Sequence, residues 1–255
     1  MGRAKYRGCT VASGHVPGSI ASRPPCQDGS MTDTAPGTAA PADPWDPVVL
    51  WSKPEGERDG TPLLVLFHGY LANEEDLMGL TDHLPTEFTV ASVRAPHAMG
   101  PGFSWFPLAS DPDYSVERVV ETVTAVAGWL ESVRHRHSGV SILGFSQGMA
   151  VATSLLRHRP TDFTCVVGLS GFCVPAEGSG FFRDSEVMES PVQFFWGRDQ
   201  EDQVITPDKI EFTHSWLTTH TKLTKILYSN MLHSINLQEL AHVREFLSLT
   251  VLGRR

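Results

Sequence analysis

Long hydrophobic runs are missing from this chain. No stretch approaches the ~18 consecutive apolar residues of a membrane span, so the sequence predicts no transmembrane segment. Cysteine is scarce, with four in 255 residues. Cys9 and Cys26 lie in the N-terminal stretch, Cys165 in an apolar run and Cys173 in the loop after it. Such scatter, with no CxxC pair, excludes a disulfide scaffold and a zinc site, and Cys165 reads as a small core residue. Positive charge is in deficit. Twenty Lys and Arg against 29 Asp and Glu give a formal charge of −9, which argues against nucleic acid or an anionic membrane surface as the main partner. A reducing cytoplasm is the expected compartment.

Residues 1–42 lack any periodic apolar pattern and are rich in Gly, Ser, Thr, Ala and Pro. That composition predicts a disordered N-terminal extension. It also lacks the apolar h-region of a secretory signal, and Met31 is the expected start of the natural protein. Residues 43–255 have the length for one domain with a substantial core.

From Val48 onward short apolar runs alternate with stretches of helical period. Strands are expected at 48–51, 62–67, 88–93, 140–144, 164–169, 192–196 and 223–228. Helices are expected at 73–84 with Asn73 as N-cap, 116–135, 147–158, 208–219 and 237–247. This alternation implies an α/β fold with a mostly parallel central sheet and helices on both faces. Active sites in such sheets lie at the carboxyl ends of strands. The acidic trio Glu74, Glu75 and Asp76 reads as a favourable helix N-terminus, and His135 and His137 as part of a solvated cationic helix end. No metal site is expected.

Residues 144–148 read Gly-Phe-Ser-Gln-Gly directly after the apolar run 140–143. This is the Gly-x-Ser-x-Gly pattern of a nucleophile elbow, with Ser146 on a tight strand-to-helix turn. A serine hydroxyl needs a base to become a nucleophile. Where the order along the chain is Ser, then acid, then His, as in α/β-hydrolases, the candidates here are Ser146, Asp202 and His233. Each falls in a loop after an expected strand. Asp199 competes with Asp202 for the acid role. The oxyanion-hole donors expected are the backbone N–H groups of Gln147, after the nucleophile, and Tyr70, in the loop after the strand 62–67. His68 is expected to hold loops together by hydrogen bonds.

Taken together, several blocks resemble the phospholipase/carboxylesterase family, which includes acyl-protein thioesterases. They are Phe67-His68-Gly69-Tyr70 with Ala72–Leu77, the elbow with its Gln147, Leu169–Phe172, Asp202–Ile205 and Met231–Ile235. The resemblance runs from about Val48 to Leu249. It implies an α/β-hydrolase that cleaves carboxylic esters or thioesters through an acyl-enzyme without a cofactor, and it favours Asp202 over Asp199. The implied partner is a small-molecule ester or thioester, with no nucleic acid and no membrane span; a homodimer is compatible with the chain. Leu71 and Met149 stand where the family usually has glycine, and Gln203 where it has proline. Leu71, Met149, Phe172 and, in the aromatic-rich loop Arg94–Tyr114, Phe103, Trp105 and Phe106 are the expected substrate-binding residues. Short or medium acyl chains are the expected substrates, with lysophospholipase and peptidase chemistry as neighbours of that reading. The alternative is a hydrolase-fold protein that binds without turnover.

Overall fold

The computed structural model describes residues 45–176 and 178–254. The expectations for residues 1–42, including a start at Met31, lie outside the described residues. The chain builds a seven-stranded sheet in the order β1-β3-β2-β6-β7-β8-β9. Its strands are β1 (Val49–Trp51), β2 (Leu63–Phe67), β3 (Thr89–Val93), β6 (Val140–Phe145), β7 (Cys165–Leu169), β8 (Gln193–Asp199) and β9 (Lys222–Tyr228). Only β1 pairs antiparallel, against β3; the other neighbours are parallel. Every residue of β2, β3 and β7 is buried, as expected for strands covered on both faces.

One face carries α1 (Val116–Arg134), α2 (Gln147–His158) and α4 (Pro207–His220). The other carries α5 (Leu237–Thr250) and a short 3-10 turn, Met78–His83. Ser115 caps α1 and Asn236 caps α5, each accepting a backbone N–H three residues on, which satisfies a donor that the helix leaves orphaned. Pro207 opens α4 at the position where its missing N–H costs nothing.

Three segments differ from the sequence expectation. Residues 73–84 form turns and the 3-10 piece instead of an α-helix. Asn73 accepts from Glu75 N–H at 2.8 Å, a turn contact two residues on. Glu74 is buried and paired with the Arg94 guanidinium, whose hydrogen bond lowers the carboxyl pKa. That tertiary pair replaces the expected helix-dipole role of Glu74. The loop 94–114 contains an antiparallel hairpin, β4 (His97–Met99) and β5 (Gly102–Ser104). The stretch after β7 contains a short helix, α3 (Asp184–Glu189).

Arg157 organises this last region. Its buried guanidinium makes a bidentate pair with Asp184 at 2.7 and 2.8 Å, donates to the Val174 carbonyl at 2.7 Å, and lies 4.2 Å from the Phe182 ring centroid. A buried arginine has five donors to satisfy, and here three of them are met by the loop carbonyl of Val174 and the first residue of α3, which ties this region to the far end of α2.

Candidate active site

Strand β6 runs straight into α2 through Ser146, whose backbone is left-handed, with φ 53° and ψ −117°. The turn is possible because two glycines allow close contact. A Cβ on Gly144 would lie 2.2 Å from the Gly148 carbonyl oxygen, and one on Gly148 would lie 1.9 Å from that of Phe67. The helix start is thereby pressed against β2, and Ser146 is lifted at the carboxyl edge of the sheet.

Three loops converge on that serine. The one after β9 brings His233, whose Nε2 is 3.0 Å from Ser146 Oγ. The one after β8 brings Asp202, whose Oδ2 is 2.9 Å from His233 Nδ1. Asp202 is held in turn, since Oδ1 accepts the N–H groups of Val204 at 2.8 Å and Ile205 at 3.3 Å. A carboxylate can only accept here, so Nδ1 carries the proton and donates it. The other imidazole nitrogen is left with a free lone pair for the serine hydroxyl. The Phe145 ring packs against the imidazole, with ring centroids 5.2 Å apart.

Asp199, the competing acid, does not meet His233. It is buried at the end of β8, where Oδ1 accepts Glu201 N–H at 2.7 Å and Oδ2 accepts Met231 N–H at 2.6 Å. These backbone donors, with Leu232 N–H, hold its pKa below the usual carboxylate range. Asp199 therefore grips the backbone just ahead of His233, while Asp202 grips its ring. Ser170 adds a third tie, its Oγ donating to the Ser234 carbonyl at 3.1 Å.

The loop after β2 closes the other side. A Cβ on Gly69 would sit 3.6 Å from Ser146 Cβ, so Gly69 lies against the serine and Tyr70 follows it in the chain. Tyr70 N–H donates to no backbone carbonyl among the described residues, and Gln147 N–H is one of the orphan donors of the first turn of α2. His68 holds this loop. Its Nδ1 is 2.7 Å from Gly69 O, and its Nε2 accepts Ala95 N–H at 3.1 Å. The ring must therefore be neutral with its proton on Nδ1, and burial lowers its pKa in agreement.

The expected substrate-binding residues divide. Leu71 is exposed, and Phe103 and Phe172 are half-buried, with Arg94 over the Phe103 ring and Lys209 over the Phe172 ring. Trp105, Phe106 and Met149 are buried in the core. Trp105 Nε1 donates to His68 O at 2.9 Å, and Met149 packs against Gly168 and Gly171 of the neighbouring strand end. These three support the site from beneath. Sequence reasoning missed the side chain of Gln147. Its Nε2 donates to Phe106 O at 2.7 Å and its Oε1 accepts Trp105 N–H at 3.1 Å, tying the aromatic loop to the residue after the serine. A buried amide whose oxygen and nitrogen both have partners favours one geometry.

Glu239, in the first turn of α5, was also missed. Both of its carboxyl oxygens are buried without a partner among the described residues, and one occupies the space that a Cβ on Gly197 would need. Burial raises its pKa to about 8, so it is a neutral acid at pH 7. The folded state keeps this proton between pH 4.5 and about 8 while the unfolded chain loses it. Stability must then fall as pH rises through that window, by on the order of 5 kcal/mol across it. Glu239→Gln has no proton to lose. Its Tm relative to the wild type should climb steadily from pH 5 to pH 8, and parallel Tm curves would show that Glu239 does not hold the proton.

Among the described residues, no group of His, Cys, Asp and Glu has the arrangement of a metal site, and no helix is long and apolar enough to cross a membrane.

The sheet order, the strand-turn-helix at Ser146 and the Ser-His-Asp chain of hydrogen bonds define an α/β-hydrolase. More narrowly, the chain belongs to the phospholipase/carboxylesterase family, whose model matches residues 54–251, and its class is that of an ester hydrolase. A carboxylesterase from Bacillus cereus is similar at 19% identity and a TM-score of 0.63, covering 78% of this chain and 92% of that one. Esterase PE8 is similar at 21% identity and a TM-score of 0.66, covering 80% and 98%. A variant of Arabidopsis thaliana SOBER1 is similar at 19% identity and a TM-score of 0.62, covering 75% and 99%. At these identities the likeness is one of fold.

Proposed function

We propose that the protein hydrolyses small carboxylic esters or thioesters through a covalent acyl-enzyme on Ser146. The observation that carries this reading is the unbroken chain of hydrogen bonds from Ser146 Oγ through His233 to Asp202. His233 Nε2 takes the hydroxyl proton as Ser146 Oγ adds to the substrate carbonyl. The negative charge on the carbonyl oxygen is met by Tyr70 N–H and Gln147 N–H; loss of one such donor typically costs about 10²–10³ in rate. Collapse breaks the bond to the alcohol or thiol, which leaves with the proton from His233. Water then repeats the sequence, giving up a proton to His233 and displacing the acid from Ser146. Asp202 holds the ring in its tautomer and stabilises the imidazolium. No step calls for a cofactor.

A fluorophosphonate probe reacts with an activated serine and so tests the reading. The wild type should label. An unlabelled protein that still binds esters would instead favour binding without turnover.

A further inference from the structure

Among the described residues, five that are not glycine have left-handed backbone: Leu71, Ser146, Ser170, Asn230 and Leu232, with φ from 43° to 62°. All five follow the carboxyl ends of β2, β6, β7 or β9, around the site. Strain of this kind persists only where the structure over-determines it, and it clusters at functional sites.

Three of the five have a local reason. Ser146 is the elbow residue. Ser170 uses its hydroxyl to hold the His233 loop. Asparagine enters this region more readily than most residues. The two leucines have no such account. Glycine would hold the same backbone without the Cβ conflict. Neither leucine serves the core either, since Leu71 is 40% and Leu232 55% exposed.

Their backbones are nevertheless locked. Leu71 N–H donates to Phe103 O at 2.9 Å, and Gly102 packs so closely on the Leu71 carbonyl that a Cβ there would lie 2.0 Å from its oxygen. Leu232 N–H is among the donors to Asp199. Each leucine adjoins a group that reaches the serine: Leu71 follows Tyr70, and Leu232 precedes His233. In the sheet, β2 lies to one side of β6 and β9 to the other, so the two loops that carry the leucines reach Ser146 from opposite sides, one through Gly69 and the other through His233. The chain thus holds two large apolar side chains in solvent, at a conformational cost, in the two loops that meet at its nucleophile. An apolar group of the substrate is what would cover them.

We propose that Leu71 and Leu232 are specificity-determining residues that contact the apolar acyl chain of the substrate from two sides. This inference rests on the serine-hydrolase reading above. Apolar contact discriminates by tens to about a hundredfold, so removing one wall has a readable effect.

The test is kcat/KM for p-nitrophenyl octanoate against p-nitrophenyl acetate, which share a leaving group and differ only in the acyl chain. Leu71→Gly and Leu232→Gly should each lower the octanoate-to-acetate ratio about tenfold. Because the readout is a ratio, a general loss of activity cancels. Leu71→Met and Leu232→Met, which keep an apolar side chain, should return most of the ratio. A ratio that is unchanged or raised in both glycine variants overturns the inference and leaves the serine-hydrolase reading standing. If Ser146→Ala still turns over both esters at the wild-type rate, the reading and the inference fall together.

Discussion

Replacement of Ser146 by alanine should lower kcat for p-nitrophenyl ester hydrolysis by roughly 10⁶, with KM changed far less. The size follows from what is lost. The hydroxyl forms the covalent bond, and among the described residues no other group hydrogen-bonds His233 Nε2 in its place. The variant should fold. Ser146 carries a left-handed φ of 53°, and alanine bears the same Cβ as serine, so the substitution adds no new backbone strain. The turn is permitted by Gly144 and Gly148, which are untouched. Tyr70 N–H and Gln147 N–H also survive, so slow residual hydrolysis above the uncatalysed rate is expected. A fall of less than about a hundredfold would mean that Ser146 is not the nucleophile.

Asp202→Asn should lower kcat by about 10⁴, and the local hydrogen bonds explain why. Asp202 Oδ1 accepts Val204 and Ile205 N–H groups. An amide at this position must keep its oxygen there, since its NH₂ would face those donors. The NH₂ then points at His233 Nδ1 and donates to it. That drives the imidazole proton to Nε2, where it blocks acceptance from Ser146. Asp199→Asn makes a contrasting control. Its two oxygens hold Glu201 N–H and Met231 N–H, so an amide keeps one bond and loses the other. The His233 loop loosens, but the tautomer stands, and a roughly ten- to hundredfold loss is expected. If the larger loss fell on Asp199→Asn, the two roles would be exchanged.

The strands and the serine turn were legible because each is written within a few residues. The buried run Leu63–Phe67 and the elbow Gly144–Gly148 carry their own pattern. The order Ser146, Asp202, His233 was readable from loop positions and family blocks, and the structure brings those three side chains together. Long-range contacts were not readable. Residues 73–84 have acceptable helical spacing, but the pull of Arg94 on Glu74, 20 residues away, and the pairing of Ala72 with Phe103 set a different path. The strands of the hairpin β4–β5 are three residues each, too short to show alternation. Trp105 and Phe106 were expected to wall a pocket because the loop is rich in aromatics. Their burial is decided by the Gln147 carboxamide and His68 carbonyl, which lie about 40 residues away in sequence.

The central claim is that Ser146 is activated by His233 for covalent attack. The most direct test is to label the protein with a fluorophosphonate and locate the adduct by peptide mass spectrometry. A single adduct on the peptide containing Ser146, absent in the Ser146→Ala variant, is the predicted result. No adduct, or one on another serine while Ser146 stays unmodified, would contradict the account.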